Sequence, residues 1–332
     1  MTLSLAAVLA IGLFGWHAGP AAPYLCGVVL PLSALAVFLV GCGGRILLWT
    51  ASPLPFPLAL TGGQQKSLDW IRASRLEAPP GPFWAACRVA VEVLSFRSLL
   101  RNSRALLAPS GGLVYRPDPR LWLAALVFHY ALLLIALRHL RLALEPAPRG
   151  ITLLQSLDGF FQVGFPRLFV SEVCFLLALA FLLGRRLWDA RLRFLSLPGD
   201  YFPLLLLAAL AATGLFLRHG GQGDAAAAKA FVLSIVSLRP AAPVGGSPAL
   251  FAHLACFSAL LFCFPFSKLM HMAGVFLSPT RTMPNNSRQR RHPNPWNQPA
   301  DRAEYAQRAS AEAGPVGCAG QPELDPGRCG HG

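Results

Sequence analysis

The apolar residues of this chain fall in long runs, separated by segments that carry most of its charge. A helix needs about 20 predominantly apolar residues to cross the roughly 30 Å hydrocarbon layer of a bilayer. Five stretches answer to that: Tyr24 to Trp49, Leu121 to Leu144, Leu168 to Trp188, Tyr201 to Leu217 and Leu250 to Leu277. A sixth, Thr2 to Trp16, is shorter. It has no basic start and no small-residue cleavage site before a polar sequence, so it reads as a retained helix rather than a cleaved signal. Trp16, Trp49, Trp122 and Trp188 fall near the ends of these runs, where indole rings favour the headgroup layer. The pattern predicts an all-α integral membrane protein with about six transmembrane helices, five plus an N-terminal one.

The polar stretches divide the chain. Residues 1–49 hold two N-terminal helices, and residues 50–120 form a long loop. Residues 121–277 form a four-helix core, and residues 278–332 a polar tail. Within the loop, Phe83 to Leu107 is semi-apolar and carries Arg88, Arg97, Arg101 and Arg104, the pattern of an amphipathic helix lying on a membrane surface. Gly62-Gly63 lies in the same loop without a GxxxxGK[ST] pattern and reads as a turn. The tail is rich in Pro and Asn, then in Ala, Glu and Gly, and is expected to be disordered beyond about Gln298.

Composition agrees with a lipid environment. Of 332 residues, 54% are hydrophobic and only 13% charged, against about 25% charged in a soluble domain. The net charge of +14 raises the question of nucleic acid, but the basic residues follow membrane topology instead. They crowd the loop from Lys66 to Arg120, the turn holding Arg185, Arg186, Arg191 and Arg193, and the segment from Arg281 to Arg291. The opposite connections hold few: Arg149, Arg167, Arg218, Lys229 and Arg239. This positive-inside asymmetry puts both termini in the cytoplasm. It argues against nucleic-acid binding.

Cys26, Cys42, Cys87, Cys174, Cys256 and Cys263 lie in or beside apolar stretches and read as small core residues. No CxxC pair occurs, so an iron–sulfur cluster is not expected in this chain. Cys318, Cys329 and His331 in the tail have no specific metal-site spacing.

Polar ligating groups inside a membrane helix are costly and mark function by default. His129 and His139 share one predicted helix, ten residues apart; His253 and His271 share the last, eighteen apart. Ten residues rise about 15 Å and eighteen about 27 Å along a straight helix. On antiparallel helices His129 would meet His271 and His139 would meet His253, giving two stacked bis-histidine sites of the kind that hold haem iron. The unequal rises require tilt and a bend at Pro265. His219 and Lys229, near the other face, are weaker candidates for a quinone pocket; His17, His292 and His331 are poor ligands.

The spacing of these histidines resembles that of the cytochrome b (gamma) subunit of respiratory nitrate reductase, a likeness shared by membrane proteins of heterodisulfide-reductase-like complexes. The stretch FPFSKLMHMAGVFLSPTRTMPNNSRQRRHPNPW, Phe264 to Trp296, resembles the DsrM-type membrane cytochromes of the sulfite-reduction-associated complex. The resemblance spans roughly Tyr24 to Trp296. It implies an all-helical membrane cytochrome of sulfur metabolism with two haems b, ligated by His129, His139, His253 and His271 and paired first with last. It implies quinone or quinol redox at the cytoplasmic (inner) membrane and electron exchange with a cytoplasmic iron–sulfur subunit like that of heterodisulfide reductase. Further partners implied are a periplasmic multihaem cytochrome c and other membrane subunits. The nitrate-reductase subunit has five helices, so the N-terminal segment departs from the pattern. Two rivals are a haem-free membrane anchor and a transporter. A transporter would favour intramembrane acids, of which Glu172 is the one clear case.

Overall fold

A computed structural model describes residues 2–17, 21–52, 74–100, 104–109, 111–160, 168–220, 224–243 and 246–284. The Gly62-Gly63 turn, the tail beyond residue 284 and its Cys318, Cys329, His292 and His331 lie outside the described residues. The described chain is mostly helical. In order come α1 (Thr2–His17), α2 (Ala22–Ala51), α3 (Pro82–Ser95), the strands β1 (Arg104–Leu107) and β2 (Leu113–Arg116), and α4 (Pro119–His139). Then follow α5 (Arg149–Asp158), α6 (Val170–Trp188), α7 (Pro198–Gly220), α8 (Asp224–Val236), α9 (Pro248–Cys263) and α10 (His271–Leu277).

Among the described residues, four segments are long and apolar enough to cross a membrane: Ala22–Ala51, Pro119–Leu142, Pro198–His219 and Pro248–Phe266. α6 has 19 residues but carries Glu172, Arg185 and Arg186 towards its two ends, and α1 has 16. The outer faces are apolar: Leu39, Val40, Leu47 and Leu48 of α2 are 60–75% exposed, which suits lipid contact rather than water.

Proline punctuates the helices. It occupies the first turn of α3, α4 and α9, where a missing N–H costs nothing. Asp118 caps α4 by accepting the Leu121 N–H at 3.2 Å. In α2 a wide π turn, Leu25–Val29, stands just ahead of Pro31, which cannot donate to the carbonyl one turn back.

Two expectations are corrected. The last helix is not continuous from Leu250 to Leu277. It breaks at the 3-10 turns Phe264–Phe266 and Lys268–Met270, with Ser267 extended between them. Pro265 supplies no N–H there, and the Ser267 hydroxyl takes the Leu269 N–H at 3.2 Å. Likewise Phe83 to Leu107 is not one helix. α3 stops at Phe96, whose φ of 49° ends it in the left-handed region, and Arg104–Leu107 is a strand. It pairs antiparallel with β2, Ala105 opposite Tyr115. Gly111, at φ 80°, makes the turn that lets the hairpin close.

α4 packs on α6, α6 on α7, α7 on α9, and α9 on α2 and α1. Phe128 of α4 stacks on Phe175 of α6 at 5.2 Å, in a core completed by Ala131, Ala178, Leu179 and Leu207. α1 comes so close to α9 that a Cβ on Gly12 would stand 2.6 Å from the Ala252 Cα. Small residues allow such backbone approach in membrane helices. Ion pairs mark the ends of an up-down bundle. Asp118 meets Arg185 at one end, while Arg138, Asp158, Glu172 and Arg218 meet at the other.

Candidate cofactor site: two histidine pairs

α4 carries His129 and His139; His253 lies on α9 and His271 opens α10. The break at Pro265 to Ser267 changes the direction of the chain between the last two, so the straight-helix separation of about 27 Å no longer applies. His129 and His271 face each other, ring centroids 6.0 Å apart and planes at 88°. With metal–imidazole bonds near the ~2.0–2.1 Å known for zinc, two rings on one metal stand roughly 6 Å apart, so this pair fits a single iron between them. His139 ends α4, and His253 lies near the start of α9. The pair that the ring geometry shows, His129 with His271, is first with last. His129 and His253 are half-buried, and His139 and His271 exposed.

The hydrogen bonds favour ligation. Nδ1 of His129 lies 2.7 Å from the Ala125 carbonyl, that of His139 2.8 Å from the Ile135 carbonyl, and that of His271 2.8 Å from the Lys268 carbonyl. A carbonyl only accepts, so each Nδ1 donates its proton and Nε2 keeps a free lone pair. Nδ1 of His253 instead meets the Thr213 hydroxyl at 3.0 Å. Fixing one ring nitrogen in this way orients the other toward a metal. A bis-imidazole haem would supply reversible one-electron redox chemistry at each pair.

Aromatic rings surround the His129 pair. Phe96 lies edge-on to His129 at 4.9 Å and Phe128 at 5.1 Å. Phe96 is held by the junction of α3 and α4, where the Trp122 indole donates to the Ser95 carbonyl at 2.7 Å and the Tyr130 hydroxyl to Leu94 at 2.8 Å. The sequence pattern placed α3 on a surface but gave no signal that its C-terminus reaches a ligand histidine. Beside His271 a cavity of about 360 Å³ is bordered by Arg45, Trp49 and Lys268. This basic border suits the carboxylates at a haem edge.

At the opposite end, next to His139, Arg138 is half-buried between acids. It donates to Asp158 at 2.6 Å, to Ser171 at 3.0 Å and to Glu172 at 3.1 Å. Arg218 binds both oxygens of Glu172 at 2.9 and 3.0 Å. The Arg138 and Arg218 guanidiniums lie over the Phe169 ring, each 3.6 Å from its centre. A cavity of about 370 Å³ adjoins this group, lined by Thr152, Gln155, Ser156, Gly159 and Phe169. Gln155 also accepts from Arg141 at 2.7 Å. His219 is exposed at the end of α7, and Lys229 is engaged with Glu145 at 3.0 Å. Neither lines this cavity.

Residues 87–284 match the model of a protein family described as the nitrate reductase gamma subunit. Over 283 residues the chain is 41% identical to the Hdr-like menaquinol oxidoreductase cytochrome b-like subunit of Archaeoglobus fulgidus, covering 83% of this chain and 84% of that one. It is 39% identical over 280 residues to the protein of the same description from Archaeoglobus profundus, covering 80% and 81%. The family match takes in all four histidines.

Proposed function

Because this chain belongs to the nitrate reductase gamma subunit family, we propose that it is a dihaem cytochrome b. In this reading it is the membrane subunit of a menaquinol-linked redox complex of sulfur metabolism. The two haems b are held by His129 with His271 and by His139 with His253. The subunit passes electrons between the quinone pool and a cytoplasmic iron–sulfur subunit of the heterodisulfide-reductase-like kind. A periplasmic multihaem cytochrome c and other membrane subunits complete the complex. The observation that carries this reading is the meeting of His129 and His271 at 6.0 Å, each with Nδ1 on a backbone carbonyl and Nε2 free.

The topology follows the positive-inside rule. α1, α2, α4, α6, α7 and the α9–α10 segment make six crossings, with both termini in the cytoplasm. That orientation puts the His129–His271 pair and the Arg45–Lys268 border toward the inner face, near the iron–sulfur partner. It puts His139, Arg138 and the Gln155-lined cavity toward the outer face. The names of the Archaeoglobus relatives point to menaquinol as the reductant. We assign its headgroup to the outer cavity, where Gln155, Thr152 and Ser156 offer hydrogen-bonding groups to a quinol oxygen.

The test is direct reduction. A short-chain menaquinol analogue added to the oxidised, detergent-solubilised chain should produce the absorbance bands of a reduced b-type cytochrome, and Gln155→Ala should slow their appearance at least tenfold. Haem that dithionite reduces but the quinol does not would overturn the quinol-linked role.

A further inference from the structure

We infer that Thr213 and Gly214 of α7 are positioning residues for His253. Together they fix its ring and the nitrogen that bears its proton, and thereby set the potential of the His139–His253 centre apart from that of the His129–His271 centre. The inference rests on the dihaem reading above.

The four histidines are not held alike. His129, His139 and His271 each donate Nδ1–H to a carbonyl three or four residues earlier in the chain. His253 departs from this: its Nδ1 lies 3.0 Å from the hydroxyl of Thr213, on a neighbouring helix. A threonine hydroxyl has one proton and two lone pairs. Two carbonyls of its own helix, Ala209 at 2.9 Å and Leu210 at 3.1 Å, stand in place to accept that proton. With the proton so placed Thr213 turns a lone pair to His253, and we assign the proton of that ring to Nδ1, leaving Nε2 bare. The other tautomer would need the hydroxyl proton at Nδ1 and would put a proton on the nitrogen that has to bind iron.

The next residue sets the position. A Cβ on Gly214 would stand 3.1 Å from Cε1 of His253 and 3.6 Å from Nδ1. The ring therefore lies against bare backbone of α7, and a methyl group there would push it away from the helix. α9 is also packed tightly against α1 at Ala252, which limits its freedom to move. Thr213 and Gly214 form one adjacent seat, a hydroxyl for Nδ1 and a flat bed for Cε1.

The seat bears on redox chemistry because a hydrogen bond from Nδ1–H makes the other ring nitrogen a stronger donor to its metal. Stronger donation favours the oxidised iron and lowers the potential. Removing the acceptor from His253 alone should therefore raise the potential of one centre and leave the other where it was.

The experiment is a potentiometric titration of the two b haems in wild type, Thr213→Val and Thr213→Ser, with low-temperature EPR of the oxidised proteins. The expected result is an upward shift of one midpoint in Thr213→Val with the second midpoint unmoved, and recovery of the wild-type value in Thr213→Ser. Thr213→Ala carries the same expectation if the valine variant does not accumulate. Gly214→Ala should alter the low-spin ferric signal of that same centre. Unchanged midpoints, or an equal shift of both, in a hydroxyl-free variant that keeps two haems would overturn the inference and leave the dihaem reading standing. Fewer than two haems in the wild-type protein would overturn both.

Discussion

Asp158 shows how much a single buried group can carry here. Its side chain is 2% exposed. It accepts from Arg138 at 2.6 Å and from the Ser171 N–H and hydroxyl at 2.9 and 2.6 Å. Removing one partner of a buried ion pair strands the other, at a cost of about 3–5 kcal/mol. Asp158→Ala should therefore lower stability by about that amount in thermal unfolding of the solubilised protein, while Ser156→Ala, on an exposed side chain of the same helix, should stay within about 0.5 kcal/mol. A loss under about 1 kcal/mol for Asp158→Ala would mean that Arg138 is satisfied without it. At this scale the sequence was partly legible. The four histidines and Glu172 stand out because polar groups inside apolar runs are costly. Thr213 and Gly214 sit in an equally apolar run, but a threonine can satisfy its hydroxyl within its own helix, so its cross-helix role emerges only once α7 and α9 are side by side.

Among the elements, α3 is tied to the segment after α10 by a clasp of charges. Arg88 donates to the carbonyls of Arg281 at 2.7–2.9 Å and of Met283 at 2.8 Å. Glu92, 15% exposed, pairs with Arg281 at 2.6 Å and accepts from both the Ser98 N–H and its hydroxyl. Burial works against the charged carboxylate of Glu92, but the bonds from Ser98 and Arg281 outweigh it and hold the carboxyl below its ordinary 4.5. With the folded value depressed, the stabilisation is present above the ordinary value and lost as the pH falls through the lower, folded one. Hydrogen exchange should therefore show the amides of Arg281 to Met283, protected by the turn at Ser278 and Pro279, opening as Glu92 is protonated. Glu92→Gln should open them already at neutral pH. Protection that is the same in Glu92→Gln at neutral pH would contradict the clasp. The apolar runs placed each long helix but the last to within a few residues because the membrane criterion depends only on length and composition. They could not place the break in the last helix beyond flagging Pro265, since the path after it depends on the Ser267 hydroxyl capping the next turn. Nor could they see the β1–β2 hairpin, whose semi-apolar strands match a surface helix in composition.

For the molecule as a whole, α6 and α7 pack in turn between the histidine-bearing helices α4 and α9, and α9 packs onward against α2 and α1. In the proposed pairing the first half of each pair comes from α4 and the second from the α9–α10 segment. The break at Pro265 to Ser267 interrupts the straight helix along which spacings of ten and eighteen residues would be unequal. The family assignment rests on residues 87–284 and on relatives that cover about four-fifths of the chain; the pairing of the histidines is part of the proposal. The most direct measurement is haem quantified per polypeptide in the purified chain, with the reduced-minus-oxidised optical spectrum, for wild type, His129→Ala and His139→Ala. Two b haems in the wild type, falling to one in either variant, is the result expected from paired bis-histidine centres. No haem in a folded, haem-supplied preparation, or a count that neither substitution changes, would contradict it.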